Sequence, residues 1–582
     1  MQRKKQSFFK GAFILSVAAL IVKLLGAIFK IPLANILGGD GMGYFSTAYD
    51  LYMPVYVISN AGLPVAIARI VAESVSEGRF RDVRRTLRIA NVVFLITGLI
   101  GFSILFFGSG ILVKSINNPG AYLAVMAMAP TVFFVCLTSA YKGYYEGLSN
   151  MYPTAFSQVA DVVVKLVFGL GLSMGAYKLG MSEFEASGTV FGKVFANAED
   201  ARLAVLQVAA AGAILGVALG ALGSFLSVYI RHKKSGDKIT EEELSAPQTV
   251  TPTKTILKNI VKIAIPIALG SCVGQITGVI DLWSVMNRLH HAVGIDLAAI
   301  RDIYGAAIPL EKAAADIPNY LNGCYKGMAV NLYNLIPTFT VAFGVSALPA
   351  ITTAWTEKNS VALKENVEDV LRMTMLLVLP AGIGMSSLSH GILSLLYGGR
   401  PEEVEIAAPL LAVLGIAVIF SATCSPINSM LQAIGRADLP VKIMIGCAAF
   451  KLIFNYITVG IPQINIIGAA IGTLICYVLI MTISLIFLVK NTAVKLDYKK
   501  VFIKPLISAL LCGVTARLAS ELLQLFVSEK LATVCGIVVG GVVYLASLIL
   551  LRAISEEDVR KFPKGESLAR LYAKLPGVKK TK

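Results

Sequence analysis

Apolar runs of about twenty residues recur from one end of this chain to the other, as in "VVFLITGLIGFSILFFGSGILV" at 92–113. A run of that length matches the hydrocarbon core of a bilayer when it is helical. The chain therefore reads as a polytopic helical membrane protein. The runs are continuous rather than alternating, which argues against a β-barrel. Across 582 residues, 56% are hydrophobic and 15% charged, too apolar for a soluble globular protein of this length. The N-terminus, "MQRKKQSFFKGAFILSVAALIVKLLG", resembles a signal peptide at first. Its apolar run is too long and no small-residue cleavage site follows, so it reads as a retained first helix.

The runs predict fourteen transmembrane helices, at 11–37, 44–71, 87–114, 121–146, 152–175, 203–230, 259–286, 327–354, 369–397, 405–433, 439–461, 464–489, 502–527 and 530–553. Lys and Arg concentrate in the loops and tails on the side of the N-terminus. The positive-inside rule then puts both termini and the 231–254 linker in the cytoplasm of a cell-membrane protein. Residues 176–202 and 287–326 form more polar excursions on the outer side. The linker, "RHKKSGDKITEEELSAPQTVTPTK", reads as flexible from its Ser, Thr, Pro and charge content.

The chain also repeats itself. "KLVF" at 165–168 returns as "KLIF" at 451–454, "AGLPVAIARIVAE" at 61–73 as "SALPAITTAWTEK" at 346–358, and "LRIA" at 87 as "LRMT" at 371. The shared offset of about 285 residues indicates a parallel internal repeat, two six-helix lobes related by an axis along the membrane normal. The expected organisation is an N-terminal lobe at 1–230, a cytoplasmic linker at 231–256, a C-terminal lobe at 257–490, two unpaired helices at 491–553 and a basic tail at 554–582. Transport by alternating access is the function such lobes suggest.

Other functions are disfavoured. The net charge of +17 sits in loops between apolar runs, where it sets topology rather than binding nucleic acid. The eight cysteines and four histidines show no metal-ligand spacing. No Walker A loop or H-E-x-x-H occurs, so neither an enzyme nor a bound cofactor is expected.

The candidate site is the set of charges within the apolar runs. A lysine at the bilayer centre costs roughly 2.5–3.5 kcal/mol on insertion scales, so such charges are expected to face a cavity. Lys23 and Lys30 lie two turns apart on one face of the first helix. Snorkelling is a poor explanation for Lys23, near the middle. Asp50 on the second helix is placed to pair with Lys30, as a structural pair or as part of a gate. Asp161 and Lys165 are spaced i, i+4 and neutralise one another. Lys451, the repeat partner of Lys165, has Cys447 in place of that acid. Arg69, near the inner end of the second helix, is placed to snorkel.

The stretch "VKLLGAIFKIPLANILGGDGMGYFSTAYDLY", followed by "ISNAGLPVAIARIVAE", resembles the polysaccharide-biosynthesis branch of the multidrug/oligosaccharidyl-lipid/polysaccharide (MOP) flippases, on the side of its sporulation-type and MurJ-like members. The resemblance extends over the whole chain and is strongest there and in "YYEGLSNMYPTAFSQVADVVVKLVF". It implies a flippase moving an undecaprenyl-diphosphate-linked saccharide from the inner to the outer leaflet through a cationic cavity between the lobes. Helices 13 and 14 would form a groove for the lipid tail. It also implies membrane lipids and cell-wall synthases as partners. Lys23 stands where the family carries a helix 1 arginine, and Lys30 lies near a second one. The family's helix 8 arginine has no match. Asn331 and Asn334 occupy that region, with Lys326 just before them. An arginine early in helix 2 is absent near Tyr56. These departures fit a sporulation-type or broader polysaccharide flippase better than strict MurJ identity. A cation-coupled exporter of the same superfamily would show an acidic cluster in one lobe, and a non-transporting scaffold would leave the cavity uncharged.

Overall fold

The computed structural model describes residues 8–60, 62–551 and 553, and over these the chain is almost entirely helical. Among the described residues, twelve helical segments are long and apolar enough to cross a membrane. One of them, Val17–Ser76, contains the first two expected helices. The helix Thr253–Ile295, a thirteenth long segment, is not among the twelve. The observed set is thus compatible with fourteen crossings. Large apolar side chains stay exposed along these helices, Phe107 and Ile111 at 76% each among them. In water such surface would be costly, whereas against lipid it is the ordinary arrangement. The basic tail 554–582 lies outside the described residues.

Three expected helices are interrupted, the second, the eighth and the ninth, the last of them at Leu388. The first and second join across Gly38, whose φ of 60° and ψ of −167° are open to glycine and strained for other residues. The second then ends a first segment at Asn60 and restarts as Leu63–Ser76, with a proline in its first turn. Gly62 abuts the Ala264 carbonyl, an approach that no side chain at 62 would permit. The eighth comprises Ile317–Gly323, a π-helical turn Cys324–Ala329, Val330–Tyr333 and Leu335–Thr356. The 176–202 excursion is mainly helix extension. Tyr152–Ser187 and Ala198–Ser235 flank a two-stranded antiparallel hairpin, Thr189–Val190 with Lys193–Val194.

The chain forms two compact units, one comprising residues up to 298 with 308–327 and the other 299–307 with the chain from 328. The division does not fall at 231–256, where it was expected. Thr253–Ile295 belongs with the first unit because it packs on the first two helices and because Asn287 and His290 hydrogen-bond Asn117, at 2.7 and 2.8 Å. In the second unit Leu371, Val378, Ile427, Met430 and Leu488 belong to one continuous core. The helices Lys504–Leu523 and Glu529–Leu550 pair with each other there, and the Tyr544 hydroxyl donates to the Leu376 carbonyl at 2.8 Å.

The linker expected to be flexible is docked. Arg79 donates to Thr251 (2.6 Å) and Asp82 (3.0 Å), Arg81 to the Leu244 carbonyl (2.8 Å), Arg84 to Asp237 (2.9 Å) and Arg85 to the Thr251 carbonyl (3.1 Å). Thr240 and Glu243 close a capping box within it. Composition suggested a solvated tether, but the arginines of the helix Phe80–Ser115 find partners in the linker's own backbone and carboxylates.

Candidate functional site

The first unit gathers its membrane charges around the first helix. Seven residues is two helical turns, so Lys23 and Lys30 share a face. Lys23 is exposed and Lys30 half-buried. Lys30 interacts electrostatically with Lys165, Asp50 and Lys23. The Lys165 ammonium lies over the Phe29 ring, 5.6 Å from its centroid. Asp161 is in electrostatic contact with both Lys165 and Lys142, and Lys142 with Glu146.

Asp50 makes an ion pair with Lys326, at 3.2 Å, besides its electrostatic interaction with Lys30. Lys326 sits in the π-helical turn Cys324–Ala329, a local unwinding that often marks functional positions. Lys23, Lys30, Lys142, Lys165 and Lys326 thus set five ammonium groups against the carboxylates of Asp50, Asp161 and Glu146. The excess is positive.

Beside these charges runs an aromatic ladder. Phe29 meets Phe45, Phe45 meets Tyr49, Tyr49 meets Tyr52 and Tyr52 stacks on Tyr56, with centroids 4.9–6.3 Å apart. Asp161 interacts electrostatically with Tyr49, Tyr52 and Tyr56, which places the ladder beside the cations. Cations beside aromatic faces suit a ligand that is anionic at one end and carries apolar or sugar-like faces at the other.

The remaining expected residues lie elsewhere. Arg69 is exposed on Leu63–Ser76, with no ion pair or hydrogen bond among the described residues. Asn331, Asn334 and Lys451 belong to the second unit. There Asn331 is half-buried and Asn334 exposed, and half-buried Lys451 interacts with Tyr477.

A second charge cluster escaped the sequence reading. Lys312, fully buried, donates to Asp40 (2.8 Å) and Glu199 (2.9 Å), and Arg202 pairs with the same two carboxylates at 3.0 Å each. The Lys312 ammonium also lies 4.7 Å from the Tyr320 ring centroid. Burial alone would lower its pKa, but Asp40 and Glu199 outweigh burial and hold it above the ordinary lysine range. Asn319 donates to the Asp40 carbonyl at 2.9 Å and accepts from Asn118 at 2.9 Å. The only hint in the sequence was Asp40 in "GGDGMG" and Lys312 in "PLEKAAAD", each of which reads as a solvated loop charge.

In the second unit His390 bridges two helices. Its Nδ1 meets Glu529 at 2.7 Å and its Nε2 meets Glu405 at 3.0 Å. Burial would lower its pKa, but hydrogen bonds to the two glutamates outweigh that and raise it above the ordinary histidine value. A raised histidine pKa stabilises the fold below about pH 6.5, and the stabilisation is lost as pH rises through the folded value. The unfolding midpoint of His390→Gln should therefore lie below wild type at pH 6 and converge on it by pH 9. The half-exposed site keeps the difference under about 1 kcal/mol. A pH-independent gap in thermal melts would remove the imidazolium from the account.

Comparison with known proteins places this arrangement in context. The family described as "Polysaccharide biosynthesis protein" matches residues 8–356, and the family described as "Lipid II flippase MurJ" matches residues 329–551. The lipid II flippase MurJ of Bacillus subtilis (strain 168) is 22% identical over 562 residues, covering 92% of this chain and 94% of that protein. Stage V sporulation protein B of the same organism is 22% identical over 569 residues, covering 96% and 98%. Among solved structures, lipid II flippase MurJ in an inward closed conformation aligns with a TM-score of 0.61 at 15% identity. That alignment covers 93% of this chain and 99% of that one, so the two share a fold.

Proposed function

The chain belongs to the polysaccharide biosynthesis protein family, within the MOP superfamily, and from that premise we propose that it is a flippase for a polyprenyl-diphosphate-linked saccharide, lipid II-like in its headgroup. It moves the headgroup from the inner to the outer leaflet. The observation that carries this reading is the cation excess of the first unit beside the aromatic ladder. A diphosphate leaving water needs positive partners, and Lys23, Lys30 and Lys326 supply them as point charges. Asp50 holds Lys326 until the diphosphate competes for it. The tyrosines of the ladder offer hydroxyls and ring faces to the saccharide.

No covalent step is required, so the work of the protein is binding and reorientation. Removing one of several charges near a diphosphate costs roughly 1–3 kcal/mol of binding on the scale of charge-assisted hydrogen bonds. At ~1.4 kcal/mol per decade, that is roughly five- to a hundredfold.

The test uses the full chain in proteoliposomes with labelled lipid-linked saccharides, comparing lipid II with a teichoic-type carrier. Lys23→Ala and Lys30→Ala should slow flipping by roughly five- to a hundredfold at matched insertion. Lys23→Arg should retain most activity, and Arg69→Ala should be milder. Wild-type rates in both alanine variants would sink the cationic-cluster reading.

A further inference from the structure

The 176–202 excursion and the loop before Ile317 together enclose a cavity of about 390 Å³ in the first unit, separate from the lysine cluster. It lies by the first turns of Ala198–Ser235. That helix continues to Ser235, so its other end, where the linker docks, is roughly 40–50 Å away at 1.5 Å per residue. The volume falls at the lower end of the ~300–1,000 Å³ typical of small-molecule sites.

Phe191 and Phe195 contribute ring faces to the lining, and Lys193, Asp200, Gln207 and Asp316 the polar groups. Phe191 is 45% exposed at the tip of the hairpin, with a φ of 48°. It and Gly192 both have positive φ, the turn geometry for which Asn-Gly is preferred and an aromatic is not. Glu183 holds this turn, accepting from the Phe191 and Gly192 N–H groups at 3.0 Å each and from the Thr189 hydroxyl at 2.9 Å. The fold thus keeps a bulky ring where a smaller residue would sit more easily.

The chemistry of the lining narrows the ligand. Two carboxylates against one ammonium disfavour a diphosphate. The Asp316 side chain makes no ion pair or hydrogen bond among the described residues. The Lys193 ammonium in the same lining disfavours a cation as well. Carboxyl and amide groups that exchange hydrogen bonds with hydroxyls, beside ring faces that cover C–H surfaces, match a neutral saccharide.

We propose that this cavity is a saccharide subsite, which binds one or two neutral sugar units of the headgroup on the side opposite the linker. It rests on the flippase reading, in which that side is the release side and the diphosphate is held by the lysine cluster.

The experiment places the full chain in nanodiscs with N,N′-diacetylchitobiose as probe and follows saturation-transfer difference NMR. Wild type should transfer saturation to the sugar ring protons. Phe191→Asn removes the ring but suits the positive φ. It should weaken binding roughly three- to tenfold with an unfolding midpoint at or above wild type. Asp316→Asn should weaken binding as well. Absence of transfer in wild type, or wild-type affinity in both variants, overturns the subsite. Carrier flipping is measured in parallel. Transport without saccharide binding sinks the subsite alone, and saccharide binding without any transport sinks the flippase reading instead.

Discussion

Lys312→Ala is expected to destabilise the first unit by roughly 3–5 kcal/mol, the cost of breaking a buried ion pair from one side. Lys312 is fully buried and is the shared partner of Asp40 and Glu199. With it gone, Arg202 alone would face both carboxylates. Asp40 already has one buried oxygen, Oδ1, without a hydrogen-bond partner among the described residues. The desolvation of Asp40 would then be offset by Arg202 alone. High salt should not rescue the variant, because buried charges are poorly screened. Removing both charges should help, since uncharged groups of similar size replace a buried pair at little cost. Lys312→Met with Asp40→Asn should thus melt above Lys312→Ala. Detergent-solubilised protein, heated and followed by size-exclusion fluorescence, reads both. If Lys312→Ala melts like wild type, the cluster does not stabilise the fold. The raised Lys312 pKa implies no loss near neutral pH. Its contribution is present below about pH 10.4 and is lost only as pH rises through the higher folded value.

Lys312 also marks where the sequence stops being readable. Helix existence was legible because a twenty-residue apolar run has few alternatives to a membrane helix. The common face of Lys23 and Lys30 was legible because it follows from helical spacing alone. The Asp50–Lys326 pair was not, because its partners are remote in sequence and Lys326 sits in a π-helical turn that apolar periodicity does not signal. Lys312 was not legible because nothing local distinguishes a solvated lysine from one enclosed by residues 40, 199 and 320. The linker was misread for the opposite reason. Its Ser, Thr and Pro content is that of a tether, yet backbone carbonyls at 244 and 251 are acceptors in any sequence. Three-dimensional placement alone decides whether arginines reach them. The unit boundary was displaced likewise, since the packing of Thr253–Ile295 on the first two helices leaves no mark in an apolar run.

Gly323→Ala is expected to be among the most damaging single-methyl additions in the chain, because it would separate the two helices that carry both ion clusters. The helix from Gly39 to Asn60 and the segment 317–327 cross through glycines spaced four apart on each, Gly39 with Gly43 and Gly323 with Gly327. Small residues at that spacing let helix backbones approach closely in a membrane. A methyl on Gly323 would fall onto the Gly39 carbonyl oxygen and within 2.7 Å of the Gly43 nitrogen. Both are backbone atoms, so no side-chain rotamer relieves the overlap. Overpacking typically costs 1–3 kcal/mol where side chains can move, and roughly 3 kcal/mol or more is expected here. The damage should reach both ends of the crossing. Asn319 and Tyr320 support the Asp40–Lys312 cluster, and Lys326 pairs with Asp50. Gly171→Ala is the control. Nothing lies within 4 Å of its added methyl, and alanine is the better helix former. It should melt at or above wild type. Gly327→Ala is an intermediate case, because its methyl meets the Met42 side chain at 2.5 Å and methionine can yield. The expected order of unfolding midpoints is Gly171→Ala, then Gly327→Ala, then Gly323→Ala. Equal midpoints for Gly323→Ala and Gly171→Ala would mean that the two helices do not approach as closely as their glycines allow.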